Sequence, residues 1–226
     1  MEPIVHPVSR GESFGMSDIQ RLGYWSAAIA TLSTVLFGCA VFLGLLGVSS
    51  KTFAYLVCLP LALSFVVMIA CIHYQAPRDK RIWSLVGLCF AVAYASLTTL
   101  VYYVQLSAAR NYSAELLPFI FTPGSVFFAV DMLGYGFMCL ATWFAAGVFG
   151  SQDSLSLWIR RLAVFHGWLV FPTLIAPALL PSPSLSAPEP HGVWGSLVLV
   201  FWCLVFAPLA YLVARHFRAM RLEPER

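Results

Sequence analysis

The chain has 226 residues, of which 60% are hydrophobic and 10% charged, with a formal net charge of +3. An ordinary soluble domain carries roughly 25% charged residues, so a water-facing surface cannot be made from this composition and the apolar side chains must face lipid. A nucleic-acid binder is excluded too, because the positive residues sit in loops and terminal segments and form no face able to neutralise a row of phosphates.

In chain order, residues 1–22 read as a polar cytoplasmic tail without the apolar run and cleavage site of a signal peptide. Six apolar runs follow, at 23–48, 53–76, 82–108, 125–150, 162–180 and 193–214, and residues 215–226 form a basic tail. A spanning helix needs about 20 residues and satisfies its own peptide groups in hydrocarbon. The pattern predicts an all-α, polytopic transmembrane bundle of six spans occupying 23–214. A barrel is excluded because stretches such as Leu59–Ala70 do not alternate. Pro60, Pro172, Pro177 and Pro208 fall inside the runs and predict kinks.

Eleven Lys and Arg lie in the tails and alternate loops (Arg10, Arg21, Arg78, Lys80, Arg81, Arg160, Arg161, Arg215, Arg218, Arg221 and Arg226), against Lys51 and Arg110 on the other side. The positive-inside rule then puts both termini in the cytoplasm and makes the span count even. Trp25, Trp83, Trp158 and Trp194 stand near run ends, where indole prefers the interface. Between spans three and four, residues 111–124 are apolar enough to lie in the outer interface, and the proline-rich 181–190 reads as an extended outer loop. The sequon at Asn111 is given no role. No inverted repeat is visible between the two halves.

Small residues recur on single faces, as in Ala30, Thr34 and Gly38 or Ser84, Gly87, Ala91 and Ala95, which lets helices approach closely. The six cysteines all fall inside apolar stretches without metal-ligand spacing and read as small hydrophobes.

An ionisable group inside a span is expensive and is therefore a functional candidate. Asp131 is the one acid within any run. It lies early in the fourth helix, where the macrodipole favours a carboxylate, on a face that reads Asp131, Gly134, Tyr135, Met138, Thr142. The third helix offers a matching stripe of Tyr94, Thr98, Tyr102 and Gln105, ending near Arg110. Antiparallel neighbours would bring Tyr102, Gln105 and Arg110 to Asp131 and Tyr135, in an outward-opening polar pocket for a small or lipidic ligand, or as a structural anchor. His73 and His166, five residues from Arg78 and Arg161, are expected at matching shallow depth and could ligate a haem iron; two interfacial histidines also arise without a shared role, and no metal or cofactor is assigned.

Absences narrow the field. Lys51 and Lys80 lie in loops, so no retinal Schiff base is available, and HExxH, GxxxxGK and GxSxG motifs are missing. Catalytic residues are therefore not assigned. The stretch DMLGYGFMCLATWFAAGVFG (131–150), followed by LWIRRLAVFHGWL (157–169), resembles small bacterial multi-helix membrane proteins described only as a domain of unknown function. That resemblance implies a bacterial inner-membrane protein of about six helices and brings no catalytic residues. The readings carried forward are a multi-pass inner-membrane protein binding a ligand near Asp131, a proton-coupled carrier, a haem-binding redox protein, and a subunit or assembly factor of a membrane complex.

Overall fold

The computed structural model describes residues 16–107, 119–122, 125–150, 153–179 and 191–220. They form α1 (Met16–Leu45), α2 (Lys51–Gln75), a single 3₁₀ turn (Arg78–Lys80), α3 (Arg81–Leu106), α4 (Val126–Ala146), α5 (Ser154–Trp168), α6 (Val170–Leu179) and α7 (His191–Met220). Arg110, Asn111, the proline-rich loop 181–190 and both outermost tails lie outside the described residues.

Side-chain contacts fix the register of the rods. Gly23 meets Phe217 and Gly38 meets Cys203, so α1 and α7 run antiparallel with the start of α1 beside the end of α7. His73 bonds Ser84 while Tyr55 stacks on Tyr102, which sets α2 against α3. Gly87 touches Ala141 and Gly134 touches Thr98, pairing α3 with α4. Against α4, Thr142 meets His166 and Trp143 meets Gly167 on α5, while Gly136 meets Leu174 on α6. The contacts of α5 and α6 thus follow one antiparallel line along α4, and the two segments are halves of one broken rod. The result is a bundle of six rods in which sequence neighbours pack antiparallel and α7 closes against α1 and α5.

The break explains why the expected span at 162–180 differs from the observed one. Asp153 caps α5 by accepting the Ser156 amide at 2.8 Å, so the rod starts at Ser154. Pro172 has no N–H for the carbonyl of Trp168, which ends α5 there. Val170 restarts the helix, and the Thr173 amide and hydroxyl bond the Leu169 carbonyl at 3.1 and 2.6 Å. By contrast α2, α6 and α7 run through Pro60, Pro177 and Pro208 without a break. At the bundle's ends, α1 begins at Met16 rather than residue 23 and α7 extends to Met220 rather than residue 214. Packing holds these extensions, since Phe217 is buried against Gly23, where a Cβ would lie 2.6 Å from its ring.

Between lipid-immersed helices there is no hydrophobic driving force, so van der Waals fit holds them together. The α3–α4 seam shows this. A Cβ on Gly87 would stand 2.9 Å from the Ala141 carbonyl oxygen, and Ser84, Gly87, Ala91 and Ala95 are all buried there. The centre is aromatic. Phe65, Tyr94, Tyr135, Trp202 and Phe206 are joined at ring separations of 5.0 to 5.7 Å and come from four different helices. Trp25, Trp83 and Trp158 project outward near helix ends. All six cysteines are free thiols, with Cys58, Cys71, Cys139 and Cys203 buried.

Arg21, Arg78, Lys80, Arg81, Arg160, Arg161, Arg215 and Arg218 all gather at one end of the bundle, called the basic end below. Lys80 ties two of its loops together by donating to the Val148 carbonyl at 3.2 Å.

Candidate functional site

Ser125 caps α4, its hydroxyl accepting the Phe128 amide at 3.1 Å, and this sets the register that turns Asp131 inward. The five residues of the predicted face, Asp131, Gly134, Tyr135, Met138 and Thr142, are all buried, as are Tyr94, Thr98, Tyr102 and Gln105 on α3. Asp131 is 1% exposed. The Tyr102 phenol donates to Asp131 Oδ2 at 3.1 Å and lies 3.3 Å from the Tyr135 hydroxyl, which in turn lies 3.9 Å from Cys58 Sγ. A carboxyl, two phenols and a thiol from three helices are therefore in series.

Gln105 is not part of that series, contrary to expectation. Its amide nitrogen donates to the Phe119 carbonyl at 2.7 Å and its amide oxygen accepts the Phe121 amide at 3.0 Å. Peptide groups outside regular structure need partners, and a primary amide supplies a donor and an acceptor at once. The clamp lays the Phe121 ring against Tyr102 and Tyr55, both at 6.1 Å, while Tyr55 stacks on Tyr102 at 5.5 Å. The expected pocket around Asp131 is thus closed by aromatic rings. Arg110 lies outside the described residues.

Toward the basic end the polar line continues with a different chemistry. The Tyr135 ring is 5.0 Å from Trp202, which is 5.6 Å from His166, itself fully buried. Thr142 Oγ1 donates to the Cys139 carbonyl at 2.9 Å and stands 2.8 Å from His166 Nδ1. Since the hydroxyl proton is used, Nδ1–H is the donor and Nε2 carries the lone pair. Among the described residues, Asp131 Oδ1, Tyr94 Oη, Thr98 Oγ1, Trp202 Nε1 and His166 Nε2 are buried without a hydrogen-bond partner. Asp131 and Thr142 are eleven residues apart on α4, so the line spans about 16 Å, half the hydrocarbon core.

His73 is half-buried near the end of α2 and bonds Ser84 at 2.9 Å, whereas His166 is fully buried among Thr142, Trp202 and Phe206. Their partners differ by about 3 Å along the α3–α4 seam, Ser84 lying three residues and Thr142 one residue toward the basic end from the Gly87–Ala141 contact. Among the described residues no group of three His, Cys, Asp or Glu side chains is placed to hold a metal ion.

Sequence reasoning missed Tyr55, Cys58, Phe121 and Trp202. Helix α2 is apolar nearly all round, so no face singles out Tyr55 and Cys58. Trp202, well inside a long apolar run, carries no interface signal.

Five of the helices are long and apolar enough to cross a membrane, and with the broken rod they define an all-α, multi-pass membrane protein with a buried polar line through its centre. No protein-family model, curated protein or solved structure matches the chain.

Proposed function

We propose that this chain is a proton-coupled carrier of small cations, with Asp131 as the group that exchanges a proton for cargo. The observation that carries this reading is Asp131 itself: fully buried, partnered by a phenol rather than a cation, with Oδ1 left without a hydrogen-bond partner among the described residues. An ionised acid at such a depth is expensive, and either a proton or a cation discharges it. The phenol oxygens of Tyr102 and Tyr135 beside the carboxyl suit a cation as well, because their lone pairs accept positive charge. Among the described residues, no Lys or Arg contacts this cluster.

The α5–α6 discontinuity packs on α4 between the levels of Trp143 and Gly136, about 8 to 18 Å along α4 from Asp131 and beside the His166 part of the polar line. On this reading the conformation is an occluded one, with Phe121 held over the cluster by Gln105. The basic end faces the cytoplasm by the charge asymmetry, and a bacterial inner membrane suits the resemblance over 131–150 and 157–169.

Proteoliposomes loaded at acid pH and diluted into alkaline buffer with the fluorescent cation ethidium test the proposal. Proton-driven uptake is expected, and Asp131→Asn should abolish it while leaving thermal unfolding in detergent nearly unchanged. Infrared difference spectra supply a cargo-independent check: a carboxyl band that responds to pH and is absent from Asp131→Asn. A folded Asp131→Asn variant with unchanged uptake, or a wild-type protein without a pH-responsive carboxyl band, would falsify the reading.

A further inference from the structure

A second site lies apart from the buried line, on the lipid-facing side of the α1–α7 seam. Here the two helices leave a groove of about 660 Å³, open along its length. Its floor is made by small residues, Ala28 and Ala214, and its apolar walls by Leu32, Val35 and Tyr211, each of which is at least half exposed or nearly so. At the basic end it is bounded by Tyr24, Arg215 and Arg218. Both arginines are exposed and one turn apart, and among the described residues no acidic side chain lines the groove. From Tyr24 to Val35 the groove runs about 16 Å, roughly one leaflet's depth of hydrocarbon.

The groove is therefore amphiphilic along its axis. Two guanidiniums and a phenol stand at the level of the headgroups, and a mainly apolar channel, with Thr31 bonded back to its own helix, leads from them toward the midplane. Guanidinium groups match phosphate oxygens in charge and geometry, and basic pockets between helices at this level favour anionic headgroups. The small floor residues leave room for one acyl chain, whereas a free phosphate would use only the basic end and leave the channel unfilled. We propose that the α1–α7 groove is a binding site for an anionic phospholipid, whose phosphate is held by Arg215 and Arg218 and whose acyl chain lies over Ala28 and Ala214. A bound lipid would tie the first helix to the last by filling the seam between them.

Native mass spectrometry of the detergent-purified full chain, titrated with dioleoylphosphatidylglycerol or dioleoylphosphatidylcholine, reads the site directly. The anionic lipid should bind more tightly than the zwitterionic one. The double substitution R215Q/R218Q should weaken it roughly 30-fold, while R160Q/R161Q, which removes an equal charge from the same end of the bundle, should leave it unchanged. Ala28→Phe keeps both guanidiniums but fills the floor, and should weaken the lipid as well. Equal losses from the two double substitutions would show diffuse charge and overturn the proposal. Displacement of the lipid by soluble glycerophosphate at equal concentration would overturn it too, since the channel would then contribute nothing. Dimer cross-links through Leu32→Cys that persist whatever lipid is added would assign the groove to a second copy of the chain instead.

Discussion

Among the described residues the bundle buries two polar clusters along α4, and they are built on opposite plans. Around Asp131 each group can both give and take a proton, because carboxyl, phenol, phenol and thiol follow one another within 3.1 to 3.9 Å. Around His166 the direction is set: Thr142 donates to its own helix and accepts from Nδ1, and Nε2 faces the rings of Trp202 and Phe206. The first cluster is linked across three helices, while the second is a single interhelical bond enclosed by aromatic surface. Burial alone therefore does not mark a functional group. The difference lies in whether its neighbours offer a path for the proton.

Both clusters depend on the α3–α4 seam or its continuation, so the largest disruption should come from Gly87→Val. Its side chain would collide with the Ala141 carbonyl, a backbone atom that cannot move aside. A loss of about 3 kcal/mol is expected, within the range of overpacked cores, and is measurable as thermal unfolding in detergent. Gly136→Ala serves as the contrast, because the atom in the way is the flexible end of Leu174 and the loss should be smaller.

Next in size is the closure over the acid. Gln105→Leu removes two hydrogen bonds that hold Phe119 and Phe121, worth about 1 kcal/mol each. With Cys58 as the only thiol retained, labelling by a membrane-impermeant maleimide should then rise about tenfold or more. Unchanged labelling would mean that Phe121 is held by its ring contacts and that Gln105 does not control access.

The two clusters can be compared through one hydroxyl each. Tyr102→Phe strips Asp131 Oδ2 of its donor and should destabilise by about 1 to 2 kcal/mol, while also changing the pH response of the carboxyl band. Thr142→Val removes the acceptor of His166 Nδ1–H and should cost about 1 kcal/mol with no effect on that band. Equal spectral effects would erase the distinction drawn here.

The smallest effect is expected outside the membrane, at the cap that begins the broken rod. The Ser156 hydroxyl and amide hold the Asp153 carboxyl below the usual carboxylate range. A carboxyl held low in the folded state binds fewer protons there than in the unfolded chain, so its contribution is present above about pH 4 and is lost as the pH falls through the folded value. Asp153→Ala should therefore lower stability by about 0.5 kcal/mol near neutral pH, the side chain being exposed and screened, and make no difference in acid. A deficit that persisted in acid would point to packing rather than to the charged cap.

Asp131, Tyr102 and Tyr135 were legible in the sequence because a lone acid in an apolar run is conspicuous and helical spacing names its face. Gln105 was placed on the correct face but with the wrong partner. Spacing shows where a side chain points, but it cannot show that residues 119–121 fold back with unpaired peptide groups for that amide to satisfy. His73 and His166 were aligned by their distance from arginines, but spacing could not show that one bonds Ser84 near the end of α2 while the other is enclosed by Thr142, Trp202 and Phe206.

Composition and hydropathy by themselves determined that the chain is helical, lies in a membrane and threads it repeatedly, because hydrocarbon tolerates only backbones that satisfy their own peptide groups. Tertiary structure alone decided which polar atoms meet, that Pro172 breaks a rod while Pro60 and Pro208 do not, and that α1 and α7 leave a groove between them. Those outcomes rest on contacts between helices, where ångström-scale fit of small residues and rings selects one arrangement from many with the same apolar pattern.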